Sequence, residues 1–301
     1  MEAAISLAKR GAEMVHLVDA AEHVGGHLRP IVGLRGLREW GRFIDHRVIQ
    51  IDKLPNLQFI PSTRLSADDV CDYGASHVIV ATGARWLGTG LAPGTHAPLE
   101  GVVEGADWVF TPEQLLVEGR RPADGSRVTV YDAEGVYMGA GIAQLLADEG
   151  YEVSLVTPHA QVAAEGDLTL EGPAIRASLH SSGVRMYREV SLTAAHPREG
   201  IVGMGEFDDR FALETDALVL VTMRAPVDDL YQALISDREA LSEAGIQGVH
   251  CIGDALSPRP LAEAMFDGHR LAREFESPDP QTPLPYKREP LQLAVEGSRT
   301  T

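Results

Sequence analysis

Apolar positions along this chain fall into short unbroken runs and helix-spaced stripes, and their alternation predicts its elements. Met1 to Arg10 carries Ala4, Ile5, Leu7 and Ala8 at helical spacing, with Gly11 as a stop. Met14 to Val18 is a short apolar run, read as a buried parallel strand that ends in Asp19. Leu65 to Tyr73 reads as a helix, and His77-Val78-Ile79-Val80 as a second buried strand opening into Ala81-Thr82-Gly83. After the polar stretch Arg120 to Ser126 the pattern begins again. Arg127 to Tyr131 is a strand, Val136 to Glu149 a helix stopped by Gly150, and Glu152 to Val156 the next strand. Leu168 to Ser182 reads as a helix interrupted near Gly172-Pro173, followed by short strands around Val190–Thr193 and Ile201–Met204 and the apolar run Ala217 to Val221. A helix from Leu230 to Ala244 leads to strand Gly248–Ile252, the turn Gly253-Asp254, a last helix Leu261–Phe275 and a Pro-rich tail expected to be extended.

Strand–helix–strand alternation in two blocks predicts an α/β protein with two Rossmann-like, glutathione-reductase-like parallel-sheet domains. The second block is inserted in the first, because Gly248–Asp254 supplies a final strand that the second block has no place for. The expected division is 1–124 with 226–285 for the first domain, 125–225 for the second, and 286–301 for a tail. No short internal repeat is visible.

The formal charge of −18 argues against nucleic acid, which is bound through clustered Lys and Arg. Its plain reading is solubility, and its functional reading a docking surface for a basic partner. No apolar run reaches the ~18 residues a membrane helix needs, and the first residues form a charged helix pattern rather than a signal peptide. Cys71 and Cys251 make no CxxC pair and cannot alone ligate an iron–sulfur cluster. The eleven histidines show no metal-site spacing. The expected compartment is the reducing cytoplasm, with no catalytic and no metal residue in this chain.

A dinucleotide fold opens with a strand, a GxGxxG turn and a helix, and an acid at the end of the second strand binds the ribose hydroxyls. Here the helix, the second strand and the acid Asp19 are present, but no strand or glycine loop precedes them. Counting back from Asp19 puts that loop just before Met1. Taken alone, Asp19 reads better as the cap of a strand–loop junction, and the turns downstream change that reading. The adjacent glycines of Gly25-Gly26-His27-Leu28 would let backbone approach a pyrophosphate. Thr82-Gly83 and Gly253-Asp254 end later strands, where an open sheet places its ligand. Together these turns point to an adenine or flavin nucleotide domain.

The second nucleotide turn reads Tyr131-Asp132-Ala133-Glu134-Gly135-Val136-Tyr137. With the strand ending at Tyr131, the three fingerprint glycines are replaced by Asp132, Glu134 and Tyr137. Two acids beside a helix N-terminus satisfy its positive end and repel phosphate. Thr157 stands where NAD binders carry an acid. NAD(P) is not expected to bind.

Nine strings carry a resemblance spread over nearly the whole chain. They include Val15-His16-Leu17-Val18-Asp19, Gly25-Gly26-His27-Leu28, Ala67-Asp68-Asp69-Val70 and Val80-Ala81-Thr82-Gly83-Ala84-Arg85-Trp86. Others are Thr111-Pro112-Glu113-Gln114, Leu218 to Thr222, Ile252-Gly253-Asp254-Ala255, Gly268-His269-Arg270 and Pro285-Tyr286-Lys287-Arg288-Glu289. The chain thus resembles the C-terminal portion of the trimethylamine, dimethylamine and histamine dehydrogenases, which are iron–sulfur flavoproteins. In that family an N-terminal TIM barrel carries FMN and a 4Fe-4S cluster, and electrons leave to an electron-transferring flavoprotein. The resemblance implies ADP or FAD in the first domain, held around Asp19, Gly25, Gly26, His27, Leu28, Thr82, Gly83, Gly253 and Asp254. The barrel, the cluster cysteines and the first glycine loop are not in this sequence, so an N-terminally truncated family member, inactive alone, is expected. A dienoyl-CoA-reductase-type NAD(P)H-dependent flavin module and a non-catalytic acidic adaptor are the alternatives. The amine and any homodimer stay open.

Overall fold

A computed structural model describes residues 1–207 and 209–285. The β-branched and leucine-rich runs became parallel strands, and the stripes between them helices. In the amino-terminal part these are α1 (Glu2–Lys9), β1 (Val15–Val18), α2 (Leu28–Ile31), α3 (Gly41–Asp52), β2 (Leu57–Ile60), α4 (Ala67–Asp72), β3 (His77–Val80) and β4 (Ala84–Trp86). Next come β5 (Val109–Phe110), α5 (Pro112–Leu116), β6 (Arg127–Asp132), α6 (Met138–Asp148), β7 (Glu152–Val156), α7 (Gly172–Ser181) and β8 (Arg185–Tyr187). Three strands, β9 (Ser191–His196), β10 (Gly200–Met204) and β11 (Arg210–Leu213), precede β12 (Ala217–Val221) and β13 (Arg224–Pro226). Helices α8 (Asp229–Ser236) and α9 (Arg238–Glu243), strand β14 (Gly248–Cys251) and helix α10 (Leu261–Arg273) complete the described chain.

The central sheet has five parallel strands in the order β5-β12-β6-β7-β8. Every residue of β12 is buried, and so is all of β6 after Arg127, because helices and the antiparallel β9–β11 sheet cover both faces. That explains why β12 reads as an unbroken apolar run rather than an alternating one.

The first unit is built differently. Among the described residues strand β1 pairs in parallel only with β2, from Val15↔Leu57 to Val18↔Ile60, and β3 only with β14, from His77↔Gly248 to Val80↔Cys251. No described strand joins the two pairs. Strands β1 and β3 are accordingly only half-buried, in contrast to β6 and β12. Helices α1 and α10 hold the halves together. Gly268 makes their approach possible, since a Cβ there would lie 3.1 Å from the Ala3 nitrogen. Gly268→Val should therefore force the helices apart and cost about 2 kcal/mol, read by urea unfolding; an unchanged midpoint would contradict this packing.

Several boundaries differ from expectation. The helix expected over Leu168–Ser182 begins only at Gly172, because Leu168 and Leu170 are solvent-exposed and offer no apolar stripe. The helix expected over Leu230–Ala244 breaks at Asp237, whose carboxylate accepts the Ala240 N–H and caps a second helix. Helix α3 and strand β2 were not foreseen: only Ile44 and Ile51 of α3 are buried, too sparse a stripe to read. The expected boundary at 124/125 does not match sheet membership, since β5 already pairs with β12. The tail 286–301, including the Tyr286–Glu289 string, lies outside the described residues.

Candidate functional site

Parallel strands end on the same side of a sheet, so the turns after β3 and β14 lie side by side. The first turn carries Thr82 and Gly83, the second Gly253 and Asp254. Both glycines have positive φ, 84° at Gly83 and 63° at Gly253, which favours glycine there. The Gly253 N–H donates to the buried Asp267 carboxylate of α10 at 3.2 Å. Strand β13 touches both turns. The Thr82 hydroxyl donates to the Val227 carbonyl just after β13, and the Val227 N–H donates to the Gly83 carbonyl at 2.9 Å. The Arg224 guanidinium donates to Asp254 Oδ2 at 2.7 Å.

Gly25 and Gly26 also have positive φ, 122° and 49°, and no atom lies within 4 Å of where a Gly26 side chain would begin. His27 Nε2 is 3.7 Å from Glu113 Oε1, which also accepts the Trp86 N–H at 2.8 Å. Trp86 is the register partner of Arg224, and the guanidinium sits 5.4 Å from its ring centroid. A chain of contacts thus runs His27–Glu113–Trp86–Arg224–Asp254, tying the Gly25-Gly26-His27-Leu28 turn to the Thr82 and Asp254 turns. Leu28 is buried. Asp19 stands apart: it follows β1, on the other strand pair, and its carboxylate accepts the Ala21 N–H at 2.9 Å.

The second turn is packed from within. Strand β6 runs one residue further than Tyr131, so Asp132 is its last residue, level with Val221. Asp132 is fully buried, and its Oδ1 accepts the N–H groups of Glu134 at 3.1 Å and Gly135 at 2.9 Å. Its Oδ2 is buried without a partner, and burial pushes the carboxyl up to about 6. Glu134 is pushed up to about 7, first by burial and then by Asp132 and Asp254, against the pull of Arg224. The His159 imidazole fills the space beside Gly135, and its Nε2 lies 3.2 Å from the Ala133 carbonyl oxygen. Tyr137 donates to Glu171, and Trp40 of the first unit stands edge-on to it at 5.8 Å. Thr157 is buried and accepts the His159 N–H at 3.2 Å.

Sequence reasoning missed Arg224, Glu113 and Trp86. An arginine three residues past the all-apolar β12 was the available signal, because a charge there leaves the core at the ligand end of a sheet. The role of Glu113 emerges only through contact with Trp86. Among the described residues no group of His, Cys, Asp and Glu could hold a metal ion, and no helix is long and apolar enough to cross a membrane.

Residues 110–201 match the model of the OYE-like second alpha/beta domain. Dimethylamine dehydrogenase of Hyphomicrobium sp. (strain x) is 36% identical over 96% of this chain and 42% of its own length. The structure of histamine dehydrogenase from Rhizobium sp. 4-9 superposes with a TM-score of 0.89 at 34% identity, covering 97% of this chain and 44% of that one. The 6-hydroxypseudooxynicotine amine oxidase of Pseudomonas geniculata N1 gives a TM-score of 0.85 at 34% identity, with 92% of this chain and 40% of that chain covered. The chain spans less than half the length of these relatives. It belongs to the flavoprotein amine dehydrogenase family of the dimethylamine and histamine dehydrogenases, with a coverage consistent with their carboxyl-terminal portion.

Proposed function

We propose that this chain is the nucleotide-binding region of an amine-oxidising flavoprotein, and that its first unit, not its second, takes an adenine nucleotide, ADP or the ADP half of FAD. The observation that carries this reading is the asymmetry of the two turns. Gly26 and Gly83 have open space where side chains would begin, whereas Asp132, Glu134, Tyr137 and His159 fill the corresponding place in the second unit. Asp19 would accept the ribose hydroxyls, Gly25 to Leu28 and Thr82-Gly83 would border the phosphates by backbone, and Gly253-Asp254 would close the site. The bound nucleotide supplies no redox step in this reading; it acts as a structural anchor. In this reading the two units are a glutathione-reductase-like pair, with 125–225 inserted in the first; the pairing of β5 with β12 adds Val109–Phe110 to the second unit's sheet.

In the whole protein the flavin chemistry, FMN with a 4Fe-4S cluster, belongs to a barrel, and electrons pass to an electron-transferring flavoprotein. This chain contributes scaffold. The filled second turn argues against an NAD(P)H-dependent flavin reductase. Calorimetry tests the reading: ADP should bind measurably and NADH and NADPH should not. Micromolar NADH binding with silent ADP would overturn it.

A further inference from the structure

The acidic second turn does more than exclude a nucleotide. Arg224 is mostly buried, 18% exposed, and sits between two carboxylates, Asp254 at 2.7 Å and Glu134 at 3.5 Å. Its second amine also donates to the Arg259 carbonyl at 3.3 Å. The other oxygen of Asp254 accepts the Arg259 N–H at 3.1 Å, so both of its oxygens are held. One guanidinium thereby links the phosphate turn of the second unit to the nucleotide turn of the first. An arginine this enclosed needs more than one anion around it, because a charge removed from water is stable only when it is paired and hydrogen-bonded.

We propose that Glu134 and Arg224 are positioning residues for the first unit's nucleotide turn, with the acid of the lost dinucleotide site serving as the built-in anion that aims Arg224 at Asp254. The inference rests on the nucleotide reading above for its function, but the positioning itself is measurable without a nucleotide. Four groups face Glu134: Arg224 after β12, Asp254 after β14, Asp132 on its own strand, and His159, which lies against Ala133 and Gly135. The arginine and the carboxylates define a cluster whose balance shifts when Glu134 gains a proton. Protonation removes one of the two anions and leaves Arg224 held by Asp254 and the Arg259 carbonyl.

Hydrogen exchange and ADP titration on the full chain test this. The amides of Gly253 and Arg259 report the turn, and those of β12 report the whole fold. In Arg224→Met the two turn amides should lose about tenfold in protection, the order of one charged hydrogen bond, with β12 protection unchanged. Glu134→Gln, which keeps size and fold, should lose less, about threefold, because it removes one of the two anions beside Arg224. Unchanged turn amides in Glu134→Gln at alkaline pH, or equal losses along β12, would overturn the positioning role. Turn protection that changes as stated while no variant or wild type binds ADP would instead sink the nucleotide reading and leave the positioning role standing. ADP affinity that is unaltered by Glu134→Gln in a chain that does bind ADP would also count against the proposal.

Discussion

Adding a β-strand and a GxGxxG turn ahead of Met1 should raise ADP affinity about a hundredfold and lift the melting temperature in the same step. The size follows from about two backbone N–H donors to a pyrophosphate, each charged hydrogen bond being worth roughly 1.5–3 kcal/mol. The stability gain follows from the sheet. Strands β1 and β3 each pair on one side only and stay half-buried, while the equivalent strands of the second unit are enclosed. Each open edge leaves backbone groups unpaired, which also favours self-association. An added parallel strand between them would satisfy both edges at once. ADP titration and thermal melts of the two chains check this. If the shorter chain binds ADP as tightly, the phosphates are held by Gly25–Leu28 and Asp254 without a glycine loop.

Asp132→Asn should be more stable than wild type by about 2 kcal/mol near pH 8, and equal to it near pH 4. Burial lifts the Asp132 carboxyl from the ordinary 3.8 to about 6, so the folded chain binds its proton more tightly than the unfolded chain does. Stability associated with this group is therefore present below the unfolded value and lost as pH rises through the folded one. At neutral pH the fold carries a buried anion with one oxygen unpartnered. Asparagine keeps the acceptor for the Glu134 and Gly135 N–H groups and discards the charge. Urea unfolding across the pH range reads the difference, which should open between about pH 4 and pH 6. Carboxylates remote from Asp132, such as Asp216, held low by Arg127, titrate identically in both proteins and cancel, whereas Glu134, raised in part by Asp132, shifts with the substitution. A less stable Asn variant at pH 8 would mean that the ionised acid contributes to the fold.

The inner strands of the second unit were legible because they are buried on both faces, while the more exposed β8 and β11 were not read. Ala217–Val221 is an unbroken apolar run, Glu152–Val156 is broken only by Ser154 after its exposed first residue, and both strands have those bounds. The acids of its turn were legible too, since charge placed at a helix start has one electrostatic consequence. Short or exposed elements were not. Helix α3 buries two residues seven apart, and β4, β5 and β13 have two or three residues each. The turns holding Gly25–Leu28, Thr82-Gly83 and Gly253-Asp254 were named from sequence, but nothing local could join them. The joint is Arg224 meeting Asp254, Glu134 and Trp86. Such a contact between residues far apart in the chain leaves no spacing to read.

The most direct test of where the nucleotide sits is photolabelling with azido-ADP followed by peptide mapping, on the chain extended by a strand and glycine turn. Label should fall on peptides containing Asp19 to Leu28 or Gly253-Asp254, and excess ADP, but not NADH, should suppress it. Label concentrated between Asp132 and His159, competed by NADH, would contradict the account.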